Sequence, residues 1–161
     1  MKKYQTNSNH NLDGVVVKHL KKNADDRGFL TEVLRNDDNL LKKFGQLTFT
    51  AAFPGVIKAF HYHKRQDDFW FCPFGNIQIV LFDLREKSST YHQKQVVFAG
   101  ENNFVSLLIP RGIAHGYKVL GNKEAGLFYA TSESYDRHNP DEFRLDFDDP
   151  LIAADWETKN R

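Results

Sequence analysis

The chain is divided into short apolar segments separated by turn-forming residues. Ten such segments recur at close spacing: 14–20, 29–34, 46–53, 56–63, 69–72, 77–84, 95–98, 104–109, 115–120 and 126–131. Clusters of Gly, Pro, Asn and Asp lie between them, as at 54–55, 73–76 and 110–112. Many short strands with frequent turn signals are typical of a β-sandwich or barrel. The pattern therefore predicts an all-β fold in a single domain spanning 1–161.

Four stretches qualify this picture. Residues 77–83 are almost entirely apolar, which indicates a strand buried on both faces. Residues 37–44 have an acidic start and a basic end, as a short helix does, and are predicted to form one. The stretch 135–161 is rich in Asp and is predicted to be an irregular segment wrapped around the fold. Residues 1–12 are polar and are predicted to be a loose end.

Composition narrows the class of protein further. The 161 residues carry 22 Lys and Arg against 21 Asp and Glu, without a long basic block. A nucleic-acid or membrane-surface partner normally requires a basic stripe, so neither is expected. Cys72 is the single cysteine, which suits a reducing compartment. No apolar stretch resembles a signal peptide or a membrane span, and a cytoplasmic location is expected.

A group of histidines carries the candidate chemistry. His61 and His63 are two residues apart, so on a strand both side chains point to one face. Asp68 follows, and a later Pro-x-Gly-x-x-His motif ends at His115. This spacing resembles the paired signature of the cupin superfamily, a jelly-roll β-barrel in which such residues can hold one divalent ion. Imidazole and carboxylate ligands suit Zn, Mn, Fe or Ni.

Longer segments resemble one family within that superfamily, the dTDP-4-dehydrorhamnose 3,5-epimerases. The resemblance extends from about residue 13 to 156. It rests on DDRGFLTE at 25–32, QLTFT at 46–50, IPRGIAHGYKVL at 109–120, LFYATSESY at 127–135 and DDPLIAADW at 148–156. The third of these is the most specific.

The resemblance implies a homodimeric isomerase that needs no metal or other cofactor and acts on a nucleotide-linked 4-keto-6-deoxy sugar. A base removes the proton α to the C4 ketone, and an acid returns a proton to the opposite face. His61 matches the base and Tyr129 the acid. The implied substrate contacts are Arg27, Glu32, Gln46, Lys58, His63, His115 and Tyr135. Such an enzyme would act in surface-polysaccharide biosynthesis.

The chain departs from the family pattern near the base. Lys58 and Ala59 stand where the family has Arg-Gly. Asp68 stands where the family has a lysine that is expected to stabilise the enolate oxygen. The family's base pairs with an Asp from a C-terminal segment, whereas this chain ends soon after Trp156. Asp83 is the predicted substitute partner of His61.

These departures leave two alternatives to a metal-free epimerase. The first is a metal-dependent cupin enzyme with the ligands His61, His63, Asp68 and His115. The second is a non-catalytic cupin that binds a sugar nucleotide without turnover. Metal content and solvent-proton exchange separate the three possibilities.

Overall fold

The computed structural model describes residues 11–159, so most of the predicted loose end at 1–12 lies outside the described residues. Nearly all regular structure in this range is strand, which confirms the prediction of an all-β fold. The strands are β1 (Val16–His19), β2 (Asn23–Asp25), β3 (Gly28–Leu30), β4 (Gln46–Ala52), β5 (Ile57–Tyr62), β6 (Asp68–Phe74), β7 (Asn76–Asp83), β8 (Lys94–Gly100), β9 (Val105–Ile109), β10 (Ile113–Leu120), β11 (Ala125–Thr131) and β12 (Phe143–Arg144). The sequence pattern missed β2 and β12.

The strands form two antiparallel five-stranded sheets and a small hairpin. The first sheet has the order β1-β9-β6-β11-β4, and the second has the order β12-β5-β10-β7-β8. Strands β2 and β3 pair with each other as the hairpin. This is the jelly-roll arrangement of a cupin, with two facing sheets rather than a closed barrel. Successive side chains along each strand point alternately to the inner and the outer face of its sheet.

Strand β7 lies between β10 and β8 in the second sheet and is buried on both faces, as predicted. Ile79 and Leu81 point into the core between the sheets. Val80 points to the outer face, where Ile152 and Trp156 of the C-terminal segment cover it. The C-terminal segment therefore closes the outer surface of this sheet, which explains why β7 has no polar alternation.

The predicted helix at 37–44 is wrong. Only a single 3₁₀ turn forms, at Asn36–Asp38. Asn39 follows with a φ of 54°, a left-handed conformation that cannot continue a right-handed helix. Leu40 then packs beside Phe71 on the outer face of the first sheet. Burial of this leucine, rather than helix propensity, determines the path of the segment.

A register shift between β5 and β10 shapes the interior. His115 lies opposite His61, and the pairing shifts before Tyr117. Gly116 stands at the shift, where a Cβ atom would lie 2.7 Å from Cα of Ala59. Only glycine lets the two strands approach this closely. The HGY sequence thus brings His115 beside His61 at the inner face of the sheet.

Within residues 11–159, no helix is long and apolar enough to cross a membrane.

Candidate active site between the two sheets

A cavity of about 810 Å³ opens between the inner faces of the two sheets. This volume lies within the usual range for small-molecule sites. The predicted site residues that line it are Gln46, Lys58, His61, His63, Asp68, His115, Tyr129 and Tyr135. The structure therefore brings most of the sequence-predicted site together in one cavity.

His61 lies on β5, in the wall formed by the second sheet. Its Nε2 atom is 4.0 Å from Oε1 of Glu142, and its side chain is 37% exposed. Burial lowers the pKa of His61, and the neighbouring Glu142 carboxylate only partly opposes this effect. The imidazole is therefore held in its neutral form near neutral pH, which is the form that can accept a proton.

Tyr129 lies on β11, in the wall formed by the first sheet. It pairs in register with Trp70 on β6 and with Thr48 on β4. Its side chain is partly buried and lines the cavity. The phenol and the His61 imidazole thus line one cavity from opposite sheets. This arrangement allows proton transfer at both faces of a ligand bound between them.

His63, Asp68 and His115 form a buried cluster in the cavity wall, here called the HDH cluster. The distance from Nε2 of His63 to Oδ1 of Asp68 is 3.7 Å, and that from Nε2 of His115 to Oδ2 is 3.6 Å. One ligand atom from each of the three residues lies within 4.8 Å of the others. Burial lowers the pKa of His115 to about 4, so its imidazole is neutral near pH 7.

The four-residue ligand set of the metal-dependent alternative is not assembled. His61 has the same strand face as His63, as its spacing predicted, but it does not belong to the HDH cluster. Its Nε2 atom lies near Glu142 instead. Only three of the four predicted ligands converge.

The prediction that Asp83 pairs with His61 is wrong. Asp83 is fully buried at the end of β7 and does not line the cavity. Its carboxylate accepts hydrogen bonds from Arg85, Ser88 and Thr90. Burial alone would raise the pKa of Asp83, but these hydrogen bonds outweigh it and hold the pKa well below the usual range. Asp83 is therefore a structural residue of a turn.

Arg27 and Glu32 lie outside the cavity of their own chain. Arg27 is at the tip of the β2–β3 hairpin, where it pairs with Asp25 and is 84% exposed. Glu32 is also exposed and pairs with Arg35. Neither side chain reaches the cavity from within the same chain.

The remaining predicted contacts are held at the cavity edge. Gln46 donates from Nε2 to Thr48 and accepts from the backbone N–H of Tyr135. Lys58 donates from Nζ to Oγ1 of Thr50 at 2.9 Å. These bonds fix the side chains of Gln46 and Lys58, and the backbone of Tyr135, where β4, β5 and the segment after β11 meet.

Sequence reasoning missed the contribution of the C-terminal segment. Glu142, Asp141 and Arg144 all line the cavity. Arg144 lies opposite His61 in the β12–β5 pairing, and Glu142 accepts a hydrogen bond from Arg144. The segment was predicted to wrap the fold, but the alternation around 142–144 is too short to predict a strand.

The fold and the cavity define a cupin with a histidine-lined small-molecule site. A family profile described as dTDP-4-dehydrorhamnose 3,5-epimerase matches residues 9–161. The chain belongs to this family, which confirms the predicted isomerase class.

Two sequence relatives and one solved structure illustrate the similarity. The chain is 51% identical over 150 residues to the spore coat polysaccharide biosynthesis protein SpsL of Bacillus subtilis, covering 93% of this chain and 99% of the relative. It is 34% identical to the probable low-salt glycan biosynthesis epimerase Agl13 of Haloferax volcanii, covering 91% and 95%. The epimerase of Legionella pneumophila, solved in complex with dTDP-4-keto-L-rhamnose, superposes with a TM-score of 0.82 at 28% identity, covering 95% and 84%.

Proposed function

We propose that the protein epimerises a dTDP-linked 4-keto-6-deoxyhexose during surface-polysaccharide biosynthesis. The observation that carries this proposal is the placement of His61 and Tyr129 on opposite sheets around one cavity. The names of the Bacillus and Haloferax relatives support the biosynthetic context. The ligand of the Legionella structure supports the substrate class.

The proposed step is a proton transfer through an enolate. His61 accepts the proton from a carbon next to the C4 ketone, and the electron pair of the C–H bond moves to the ketone oxygen. The enolate then takes a proton at the same carbon from the Tyr129 hydroxyl on the opposite face, and the ketone re-forms. Solvent returns a proton to Tyr129 and removes one from His61. Gln46, Lys58 and Tyr135 are the proposed contacts to the sugar nucleotide.

Glu142 is the proposed partner of His61 in place of Asp83. Its carboxylate is 4.0 Å from the imidazole, and a negative charge there stabilises the imidazolium that forms when His61 takes the proton. Arg144 donates to Glu142 at 2.7 Å and holds the carboxylate in position.

Isotope exchange in deuterated water tests the reaction and the role of Tyr129. The wild-type protein is expected to introduce deuterium at C3, C5 or both of dTDP-4-keto-6-deoxyglucose, as followed by NMR. Tyr129→Phe is expected to retain exchange by His61 while the inverted product forms about 100-fold more slowly, because the second face lacks its acid. The control is Phe98→Leu, an exposed phenylalanine on β8 that does not line the cavity, and it should exchange and invert at the wild-type rate.

Absence of exchange by the folded wild-type protein would contradict the proposal. Binding of the sugar nucleotide without exchange would instead favour the non-catalytic cupin. Equal loss of exchange and inversion in Tyr129→Phe would contradict the division of roles between the two residues.

We propose that the protein is a homodimer formed through the outer face of β4. Leu47 and Phe49 are exposed on this edge strand. The ring centroids of Phe49 and the partly exposed Phe128 are 4.9 Å apart. An exposed apolar patch on an unpaired edge strand is typical of an interface. We propose that in such a dimer the exposed hairpin that carries Arg27 reaches the partner's cavity, since Arg27 and Glu32 are substrate contacts implied by the family resemblance but lie outside the cavity of their own chain.

Sedimentation analysis tests the dimer. Phe49→Glu is expected to convert a species of two chains into single chains, because it buries a charge in the interface. The control is Phe98→Glu, an exposed phenylalanine on the edge strand β8 of the other sheet, which should leave the mass unchanged. A wild-type protein that sediments as one chain would overturn the proposal.

The cytoplasmic location and the single-domain organisation stay predictions of the sequence, and metal titration tests the prediction that the protein needs no cofactor.

A further inference from the structure

We infer that the HDH cluster binds one divalent transition-metal ion, with His61 outside the ligand set. All three side chains are buried, with exposed fractions of 8% for His63, 4% for Asp68 and 3% for His115. All three also line the cavity. A bound ion would therefore have coordination positions open toward a ligand in the cavity.

The spacing of the three residues suits an ion better than hydrogen bonds. The two Nε2-to-carboxylate distances of 3.7 and 3.6 Å exceed the upper limit of about 3.2 Å for an N–H···O bond. Two ligand atoms placed about 2.1 Å from one tetrahedral ion are about 3.4 Å apart. The two distances join different carboxylate oxygens, and the three candidate ligand atoms lie within 4.8 Å of one another, so the side chains would draw slightly closer together around a shared ion.

The hydrogen bonds behind the cluster orient both imidazoles toward that ion. Nδ1 of His115 lies 2.9 Å from the carbonyl oxygen of Ile113, and Nδ1 of His63 contacts the carbonyl oxygen of Asp141. A carbonyl oxygen only accepts, so each Nδ1 carries the proton and donates it. The Nε2 atoms, which face Asp68, are then the ring nitrogens available to bind a metal ion. Metal-bound histidines are oriented by the same kind of outer hydrogen bond.

Two hydrogen bonds hold the Asp68 carboxylate in place, but no Lys or Arg among residues 11–159 forms an ion pair with it. Gln66 donates from Nε2 to Oδ1 at 2.7 Å, and Trp70 donates from Nε1 to Oδ2 at 3.2 Å. Among residues 11–159, the ionisable groups within 4.0 Å of the carboxylate are the two imidazoles of the cluster. A cation placed between this buried carboxylate and the two imidazole nitrogens would compensate its charge. Two imidazoles and one carboxylate are a donor set for Zn²⁺, Fe²⁺ or Co²⁺.

The ion would also supply positive charge to the cavity. A divalent ion bound by two neutral imidazoles and one carboxylate leaves one net positive charge, which would stabilise a developing enolate oxygen. This catalytic consequence rests on the proposed function, whereas the binding of the ion does not. His61 remains available as the base, because its Nε2 atom is beside Glu142.

Metal titration of untagged protein, stripped with a chelator and dialysed, tests the binding. Co²⁺ followed by visible absorption and Zn²⁺ followed by calorimetry are expected to saturate at one ion per chain. Asp68→Asn and His115→Gln are expected to weaken binding by about 100-fold or more. His61→Asn is the matched control and should bind with wild-type affinity. Circular dichroism checks that each variant is folded.

A measurement on the wild-type protein tests the metal ligands without relying on the folding of the variants. In ¹⁵N NMR of the histidine side chains, Zn²⁺ is expected to shift the Nε2 signals of two histidines, with Nδ1 remaining protonated. The site would be overturned by an absence of saturable binding, by loss of affinity in His61→Asn as large as that in His115→Gln, or by wild-type affinity in Asp68→Asn.

Exchange by metal-free and reloaded enzyme tests the catalytic consequence separately. Reloading is expected to raise the exchange rate by about 10-fold or more. Saturable binding with an unchanged exchange rate would overturn the role in catalysis and leave the site standing. Saturable binding with no exchange in either form would contradict the proposed function alone.

Discussion

Replacing His61 with asparagine is expected to slow solvent-deuterium exchange into the sugar by about 1000-fold. A positioned general base typically contributes about 10²- to 10⁴-fold, and asparagine fills a similar volume without accepting the proton. The imidazole lies on the inner face of β5 with its Nε2 atom 4.0 Å from Glu142. The measurement is single-turnover exchange followed by NMR, with dTDP affinity determined in parallel.

Two further variants make the result interpretable. His19→Asn changes an exposed histidine on β1 and should exchange at the wild-type rate. Glu142→Gln retains the shape of the side chain and should slow exchange by about 10-fold without weakening dTDP binding, because it removes the charge that stabilises the imidazolium. Exchange in His61→Asn at more than a tenth of the wild-type rate would exclude His61 as the base.

Asp83→Asn is expected to lower the free energy of unfolding by about 3 kcal/mol, the scale for removing one member of a buried ionic network. The carboxylate accepts from Arg85, Ser88 and Thr90, and Arg85 also donates to the carbonyl oxygen of Asp13. The network therefore joins the start of the described chain to the turn after β7. Urea denaturation at neutral pH measures the loss, and the exposed Asp26→Asn serves as the control.

The stability of Asp83→Asn is also expected to depend less on acid pH than that of the wild type. The pKa of Asp83 in the folded protein lies below its unfolded value of about 3.9. The ionised carboxylate therefore stabilises the fold above that value, and this contribution is lost as the pH falls toward the folded pKa. Asp83→Asn should lose less stability than the wild type between pH 5 and pH 3, taken as roughly the range in which the unfolded carboxyl titrates. An equal loss of unfolding free energy between pH 5 and pH 3 in the two proteins would contradict the role of the network.

The sequence predicted the strands well because alternation and turn residues are local signals. Each of the ten predicted segments overlaps a strand, and the double burial of β7 follows from its apolar run. The helix at 37–44 was wrong because its end charges are a weaker signal than the burial of Leu40 and the left-handed turn at Asn39. Tertiary packing overrides such local preferences.

The site was predictable only where its residues are adjacent or match a family motif. His61 and His63 share a face because of their spacing, and Tyr129 came from the LFYAT segment. Glu142 was not predictable, because its approach to His61 depends on how the C-terminal segment crosses β5. The sequence does not show that the Asp83 carboxylate accepts hydrogen bonds from Arg85 and Ser88 and so cannot pair with His61.

Asp141 has a consequence for how this cavity could be redesigned or could diverge. Its carboxylate accepts from the backbone N–H groups of Lys64, Arg65 and Gln66, while its carbonyl oxygen contacts His63. One residue of the C-terminal segment thus sets both the conformation of the loop after β5 and the orientation of an imidazole. A longer loop grafted here without the matching residues around 141 would lose either the loop contacts or the contact to His63. The loop and this part of the C-terminal segment therefore have to change together.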